Sequence, residues 1–320
     1  MLKNNLGFPC IGPKRELKKA CEQYWQGKIS QEELLKTGSQ IRQYNWKLQQ
    51  EAGIDLIPSN DFSFYDHVLD MSFTLGNIPE RYSKVSAKNE IGLENYFAMA
   101  RGFQKNGLDI TAMEMTKWFN TNYHYIVPEF YKNQTFHFLS HKVIEEFEES
   151  KRVLNKVSKP VLIGPVSYLL LGKEKEKGFN RLDLLDNLLP VYAEIIEQLE
   201  KRNLEWIQLD EPFLVMDLSN KEKDAFKSCY NYLHQRFPKL KILIAAYFES
   251  LQDNFQLAVS LPVAALHLDL VSGYQQLQNV LYHLPEGLSL SLGVVDGRNI
   301  WKNDYSKSIK LLNTVVNKIG

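Results

Sequence analysis

The sequence predicts an α/β protein whose strands close into a (βα)8, TIM-like barrel. Short apolar runs bounded by Gly, Pro or acidic residues alternate with longer amphipathic segments, and eight such runs can be distinguished. The runs are apolar on both faces, which is typical of parallel strands covered by helices. A length of 320 residues suits one such barrel. The chain stops one helix after the last run, which leaves little room for the segment that closes the barrel.

The elements follow one another in a nearly regular order. Pro13 is suited to the first turn of a helix, and right-handed crossovers would place all the helices outside the barrel. Residues 123–130 form a further extended run, and residues 60–88 are poorly periodic. The predicted strands are 5–8, 54–57, 112–119, 160–166, 206–210, 241–248, 264–271 and 288–295, and the predicted helices are 13–26, 30–51, 89–106, 140–155, 181–203, 220–236, 250–260 and 303–318.

Composition excludes several classes of function. Lys+Arg and Asp+Glu are both 38, so the formal net charge of 0 gives no global attraction to nucleic acid or to an anionic membrane. The sequence has no apolar run long enough to span a bilayer, and its start, MLKNNLGFP, lacks the apolar core of a signal peptide. We therefore expect a soluble cytoplasmic protein. Its 3 cysteines show no CxxC spacing, which argues against a disulfide framework and a local zinc site.

Polar residues follow most of the apolar runs. In a parallel barrel the functional side chains lie just beyond the carboxyl ends of the strands, so these residues are expected to meet at one rim. They are Cys10, Asp61, Asp66, His67, Lys117, Asn120, Asn122, His124, Asp210, Glu211, His267, Asp269, Asp296, Arg298 and Asn299.

The stretch GFPCIGPKRELKKA places four basic residues around one acid at the predicted start of a helix. Because that end of a helix already carries partial positive charge, the arrangement is locally unfavourable and suggests an anion site formed by Arg15, Lys18 and backbone N–H groups. The alternative is a solvated basic surface.

Lys117 lies between apolar and aromatic neighbours, where it could bind an anion, act as an amine nucleophile or extend its ammonium group to solvent. Asp210 and Glu211 could be acid/base groups or metal ligands, or could hold a loop in place. His67 and His124 fit hydrogen-bonded structural roles better than metal ligation, because no neighbour has metal-ligand spacing.

Six stretches resemble the N-terminal domain of the cobalamin-independent methionine synthase family. They are LGFPCIGPKRELKKA, NWKLQQEAGIDLIPSNDFSFYDHVLD, EMTKWFNTNYHYIVPEF, PVLIGPVSYLLL, WIQLDEP and LGVVDGRNIW, and they extend from Leu6 to Trp301.

The resemblance implies that residues 1–320 are a single N-terminal barrel of a two-barrel enzyme. That enzyme transfers a methyl group from 5-methyltetrahydropteroyltri-L-glutamate to homocysteine and so makes methionine. Its zinc lies in a C-terminal barrel that this chain lacks, so the chain would bind no metal or cofactor, carry no catalytic residue and be inactive alone. Ile244, Ala246 and Asp269 stand where the catalytic half would carry zinc ligands.

The resemblance also assigns a substrate site. The folate polyglutamate tail would bind at Arg15, Glu16, Leu17, Lys18 and Lys117, and the C-terminal zinc barrel would be the partner. The family more often has Arg where Cys10 stands. Two alternatives are a stand-alone binding or scaffold barrel without catalysis, and a Schiff-base lyase that uses Lys117.

Overall fold

The computed structural model describes residues 1–85, 91–105 and 107–319. The chain divides into two compact units, Met1–Ile207 and Gln208–Gly320. No helix in the described ranges combines the length and apolar character needed to cross a membrane.

Two helices of the first unit begin at capping side chains that the sequence supplies. Ser30 and Glu33 form a reciprocal capping box, in which each side chain accepts a hydrogen bond from the other residue's backbone N–H. Asp66 caps a later helix by accepting from two N–H groups. The helices are α1 (Glu16–Trp25), α2 (Gln31–Glu51), α3 (His67–Thr74), α4 (Leu93–Arg101), α5 (Lys142–Leu154), α6 (Pro165–Leu171) and α7 (Leu185–Glu200).

The strands of the first unit are short. They are β1 (Pro58–Ser59), β2 (Phe103–Lys105), β3 (Leu108–Ile110), β4 (Met115–Lys117), β5 (His124–Ile126), β6 (Glu129–Phe130), β7 (Lys159–Ile163) and β8 (Lys173–Glu174). Parallel pairs join β1 to β7 and β6 to β8, whereas β2–β3 and β4–β5 are antiparallel hairpins.

An apolar cluster lies beside the start of α1. It includes Leu17, Cys21 and Leu34 from the first two helices, together with Phe62 and Phe97. Because Leu17 and Cys21 are four residues apart, they lie on the same face of α1 and leave the lysines of that helix toward solvent.

The second unit has repeated strand-helix order. Strand β9 (Trp206–Asp210) spans the boundary between the two units, and its last three residues belong to the second unit. The parallel strands then follow in the order β9-β10-β11-β12. Leu266 in β11 pairs with Ile244 in β10 and Leu290 in β12. The remaining elements are α8 (Asn220–Arg236), β10 (Lys241–Ala245), α9 (Phe255–Ser260), β11 (Ala265–Asp269), α10 (Leu277–His283), β12 (Ser289–Gly293) and α11 (Tyr305–Ile319).

The predicted α/β class with parallel strands is confirmed, but a closed eight-stranded barrel is not formed by the pairings of the described residues. Residues 5–8 form no strand, and nearby Asn4 makes only an isolated bridge to Leu56. Within 112–119 only β4 is a strand, and it pairs antiparallel with β5. Its partner follows after residues 118–123 only, whereas parallel neighbours need a longer crossover.

The predicted helices agree better with the structure. The first begins at Glu16 rather than at Pro13, because a turn occupies the preceding residues. The predicted helix 89–106 corresponds to α4, and its residues 89, 90 and 106 lie outside the described ranges. Helices α3, α6 and α10 were not predicted.

Candidate functional site

A tight turn sets the geometry at the start of α1. Gly12 has a φ of 78°, and its carbonyl accepts a hydrogen bond from the backbone N–H of Arg15 at 3.0 Å. Arg15 then adopts a φ of 61°, a left-handed conformation that a residue other than glycine rarely takes. The Glu16 carboxylate folds back and accepts from the Lys14 N–H at 2.8 Å. This turn places Arg15 immediately before the first helical residue.

The predicted tail-binding residues of α1 are not equivalent in the structure. Arg15 and Lys18 are exposed, whereas Leu17 is buried and packs in the apolar cluster. Lys18 pairs with Glu22 at 3.6 Å, one helical turn further on. Arg15 makes no ion pair within the described residues. The start of α1 therefore presents cations beside the positive end of the helix dipole.

Lys117 lies at the end of β4 and pairs with His124 of β5. Its side chain is exposed, while the next residue, Trp118, is buried and lies edge-on to the His67 ring at 4.5 Å. The backbone N–H of Trp118 donates to the carbonyl of Tyr123 and holds the hairpin together. The hairpin thus buries its tryptophan and extends its lysine to solvent.

Residues 61–70 connect α1 with the β4–β5 hairpin. On one side, the Cys21 thiol donates to the carbonyl of Phe64 at 3.6 Å. On the other, the Tyr123 hydroxyl donates to the carbonyl of Tyr65 at 3.4 Å. The structure therefore brings α1 and the hairpin that carries Lys117 to the same short segment of the first unit.

Asp66 ties this segment to the hairpin. Its carboxylate accepts from the N–H groups of Val68 and Leu69 at the start of α3, and from Ile126 in β5 at 3.1 Å. Burial raises the pKa of Asp66 to about 7, although these hydrogen bonds act to lower it. Burial also lowers the pKa of His67 to about 4, so the imidazole between Trp118 and Tyr123 is neutral at pH 7. Both residues serve the packing of this region.

A chain of charged side chains, half-buried except for buried Glu146, reaches residues 61–70 at Asp70. Lys142 contacts Asp70 at 3.2 Å and Glu146 at 3.3 Å, and Arg42 contacts Glu146 at 3.5 Å and Glu149 at 2.6 Å. Oε2 of Glu146 is buried without a hydrogen-bond partner among the described residues. Burial raises the pKa of Glu146, opposed by Lys142 and Arg42.

Sequence reasoning did not identify this charge chain. Its one local signal is the i,i+4 spacing of Lys142 and Glu146 in a helix. The remaining contacts join residues from α2, α3 and α5 that are far apart in the sequence. Only the fold brings those residues together.

Asp61 and Cys10 connect the N-terminal stretch to the same region. Asp61 accepts from the backbone N–H of Phe8 at 2.8 Å, and burial raises its pKa. Cys10 is half-buried, and burial likewise raises the pKa of its thiol. The Cys10 side chain is therefore a neutral thiol.

In the second unit, Asp210 and Glu211 have hydrogen-bonding roles. Glu211 is buried and accepts from the Tyr230 hydroxyl at 2.8 Å, and Asp210 accepts from the Tyr247 hydroxyl at 3.0 Å. These contacts favour the role of holding loops, the third of the roles considered for the pair.

The residues at the expected zinc positions do not fit that metal. Ile244 and Ala246 are buried and offer no ligand atom, and Asp269 accepts from the N–H groups of Phe248, Val271 and Ser272. Across the described ranges, His, Cys, Asp and Glu form no group of three or more that could hold a metal ion.

Comparisons of the sequence with a family model and with known proteins identify the same family. A family model described as "Cobalamin-independent synthase, N-terminal domain" matches residues 2–320. The 5-methyltetrahydropteroyltriglutamate–homocysteine methyltransferase of Flavobacterium johnsoniae is 59% identical over 322 residues, which cover 100% of this chain and 41% of that protein. The protein of the same name from Cytophaga hutchinsonii is 56% identical, and the match covers 100% of this chain and 42% of that protein. The chain thus spans about two fifths of the length of these relatives.

Solved structures show the same fold at low sequence identity. The putative vitamin-B12 independent methionine synthase from Listeria monocytogenes superposes with a TM-score of 0.64 at 15% identity, covering 99% of this chain and 88% of that one. A B12-independent methionine synthase from Shewanella also gives a TM-score of 0.64 at 15% identity, over 91% of this chain and 80% of that one. At this identity the likeness concerns the fold alone.

Proposed function

Because the chain belongs to the cobalamin-independent synthase family, as its N-terminal domain, we propose that it is the folate-tail-binding half of a methionine synthase. The complete enzyme would transfer a methyl group from 5-methyltetrahydropteroyltriglutamate to homocysteine, the reaction named for the relatives from Flavobacterium johnsoniae and Cytophaga hutchinsonii. This chain would form the N-terminal barrel domain, residues 1–320. The zinc chemistry would belong to a C-terminal partner barrel.

The observation that carries the proposal is the exposure of Arg15, Lys18 and Lys117 around one segment. Arg15 and Lys18 lie at the positive end of α1, and Lys117 lies on the hairpin that contacts the same residues 61–70. A polyglutamate tail carries several carboxylates in series, so it can meet cations from two separate elements at once. Charge-assisted hydrogen bonds to carboxylates are stronger than neutral ones.

The predicted residues of the site fall into two groups in this proposal, those that bind the ligand and those that position them. Arg15, Lys18 and Lys117 bind carboxylates of the tail. Glu16 holds the turn through the Lys14 N–H, and buried Leu17 anchors α1 in the apolar cluster. The last two residues therefore position the cations and need not contact the ligand.

The Schiff-base alternative has no support from the surroundings of Lys117. An amine nucleophile is activated by a desolvated pocket or by an adjacent cation, whereas this side chain is exposed at the end of a hairpin. Borohydride trapping with carbonyl substrates would detect that chemistry. We expect no covalent adduct at Lys117.

Calorimetric titration with tri- and monoglutamylated folate, at two salt concentrations, tests the proposal. We expect tighter binding of the triglutamate and a difference that shrinks as salt rises, because exposed charges are screened over about 8–10 Å at physiological ionic strength. Equal affinity for the two ligands would contradict tail binding. A preference for the triglutamate that does not change with salt concentration would contradict the electrostatic basis of the site.

A further inference from the structure

The β4–β5 hairpin places a histidine directly beside Lys117. His124 is the cross-strand partner of Lys117 in this antiparallel pair, and both side chains are exposed. Paired residues of antiparallel strands lie on the same face of the sheet, with their Cβ atoms about 4.5–5.5 Å apart. A carboxylate bound to the Lys117 ammonium group would therefore be within reach of the His124 imidazole.

A hydrogen bond determines which ring nitrogen of His124 is available. Nδ1 lies 3.1 Å from the backbone carbonyl oxygen of Asn122, and because a carbonyl only accepts, Nδ1 carries a proton and donates it. Nε2 has no hydrogen-bond partner among the described residues. In the neutral ring Nε2 is an acceptor, whereas in the imidazolium it becomes a donor. Binding of a carboxylate at Nε2 therefore requires that the ring take up a proton.

We propose that His124 is a proton-dependent ligand of the polyglutamate tail and binds one of its carboxylates together with Lys117. Without ligand, the Lys117 ammonium group opposes a second positive charge on the adjacent ring. A carboxylate between the two side chains favours the imidazolium instead. Proton binding and ligand binding then strengthen each other by the same factor. The inference rests on the proposed function, because it adds a further residue and a pH response to the same site.

The other charged groups near β5 come from α3, which packs against this strand, and from the residue before β4. Glu114 pairs with Lys173 at 2.6 Å, and Asp70 is held in an ion pair from α5. Burial keeps His67 neutral. The pKa of Asp66 is raised to about 7, so this carboxyl group gains a proton over the same pH range as an ordinary imidazole. Loss of the Asp66 charge would also favour an anion, so the test must separate the two groups.

Calorimetric titration at about pH 6 and about pH 8, on either side of the ordinary imidazole range, makes this separation. The proteins are the parent, His124→Gln and the control His234→Gln, which replaces an exposed histidine of α8 in the second unit. Glutamine keeps a polar side chain but does not titrate, and Asp66 is present in all three proteins. The glutamate carboxylates of the ligand ordinarily titrate near about pH 4.3, so they stay ionised at both pH values.

For the parent and His234→Gln, triglutamate affinity should increase from pH 8 to pH 6 by a factor at least about threefold larger than for His124→Gln, which is within the range of exposed ion pairs. Titrations in two buffers of different ionisation enthalpy should show that the parent takes up more protons on binding than His124→Gln does. An equal pH response and equal proton uptake in the parent and His124→Gln would overturn the inference. A triglutamate preference that persists in that case would leave the proposed function standing, whereas equal binding of mono- and triglutamate at both pH values would contradict the proposed function itself.

Discussion

Asp66 shows how a single buried carboxyl group connects the candidate site to folding. The residue is fully buried, and it links the start of α3 to β5 through three backbone N–H groups. Burial raises its pKa from 3.8 to about 7. The folded state therefore binds a proton more tightly than the unfolded chain does, and the resulting stabilisation is present at low pH and is lost as pH rises from about 4 to about 7.

We predict that the stability difference between the parent and Asp66→Asn changes over that window. Asparagine can still accept from Val68 and Leu69 but does not titrate, so the advantage of the parent should shrink by a few kcal/mol between pH 4 and pH 7, at about 1.4 kcal/mol per pKa unit. Urea unfolding of both proteins across this range measures the difference. A difference that stays constant with pH would show that Asp66 titrates normally in the fold.

The cations at the start of α1 could be selected from the sequence because their pattern breaks a local rule. Lys14, Arg15, Lys18 and Lys19 gather at a helix start, where like charges are unfavourable. The chain of Arg42, Lys142 and Glu146 could not be selected in this way. Arg42 lies on α2, whereas Lys142 and Glu146 lie on α5, so the contact between the two helices depends on tertiary packing.

The start of α1 is an element whose form depends on one glycine. Gly12 has a φ of 78°, and a Cβ added there would lie 2.3 Å from Oε2 of Glu16. A side chain at this position must therefore displace the carboxylate that accepts from the Lys14 N–H. The turn that positions Arg15 would be disturbed with it.

We predict that Gly12→Ala destabilises the protein more than Gly27→Ala does. Gly27 also has a positive φ, 69°, but nothing lies within 4 Å of its added Cβ, so it reports the backbone strain alone. Both variants should lose about 1 kcal/mol to that strain. Gly12→Ala should lose a further 0.5–1.5 kcal/mol, roughly one net hydrogen bond, and should also bind the triglutamate more weakly. Chemical unfolding checks this, and equal losses would contradict the role of the Glu16 contact.

Strand prediction succeeded where apolar runs form consecutive parallel strands that are each followed by a helix. The runs at 206–210, 241–248, 264–271 and 288–295 correspond to β9, β10, β11 and β12. The run 112–119 failed, because its apolar content comes from a hairpin that buries Trp118 and exposes Lys117. Composition does not distinguish a hairpin strand from a buried parallel strand, since the direction of pairing is set by the turn that follows.

At the scale of the whole molecule, the described residues form no group of three or more His, Cys, Asp or Glu that could hold a zinc ion. Ile244 and Ala246 carry no ligand atom, and Asp269 caps a loop. We predict that the isolated chain binds no stoichiometric zinc and makes no methionine from homocysteine. Elemental analysis of the purified protein and an activity assay check both parts. One tightly held zinc per chain, or turnover above background without a partner, would contradict the proposal that the zinc chemistry belongs to the C-terminal half.

The central claim is that two separate elements bind one polyanionic tail. Arg15 and Lys18 lie on α1, and Lys117 lies on the β4–β5 hairpin. If both elements contact the same ligand, substitutions in either should weaken binding while leaving the fold intact. Relief of like-charge crowding at the helix start should make the α1 substitutions neutral or slightly stabilising.

The most direct test is triglutamate affinity and thermal melting, measured together for Lys117→Ala, Arg15→Ala/Lys18→Ala and the control Lys47→Ala, an exposed lysine of α2. We predict a loss of more than about 1 kcal/mol of binding free energy for each of the first two, after discounting for solvent exposure, with melting unchanged or slightly raised. Lys47→Ala should change neither quantity. A sharp fall in melting temperature with unchanged affinity would show that these residues are structural and would contradict the account.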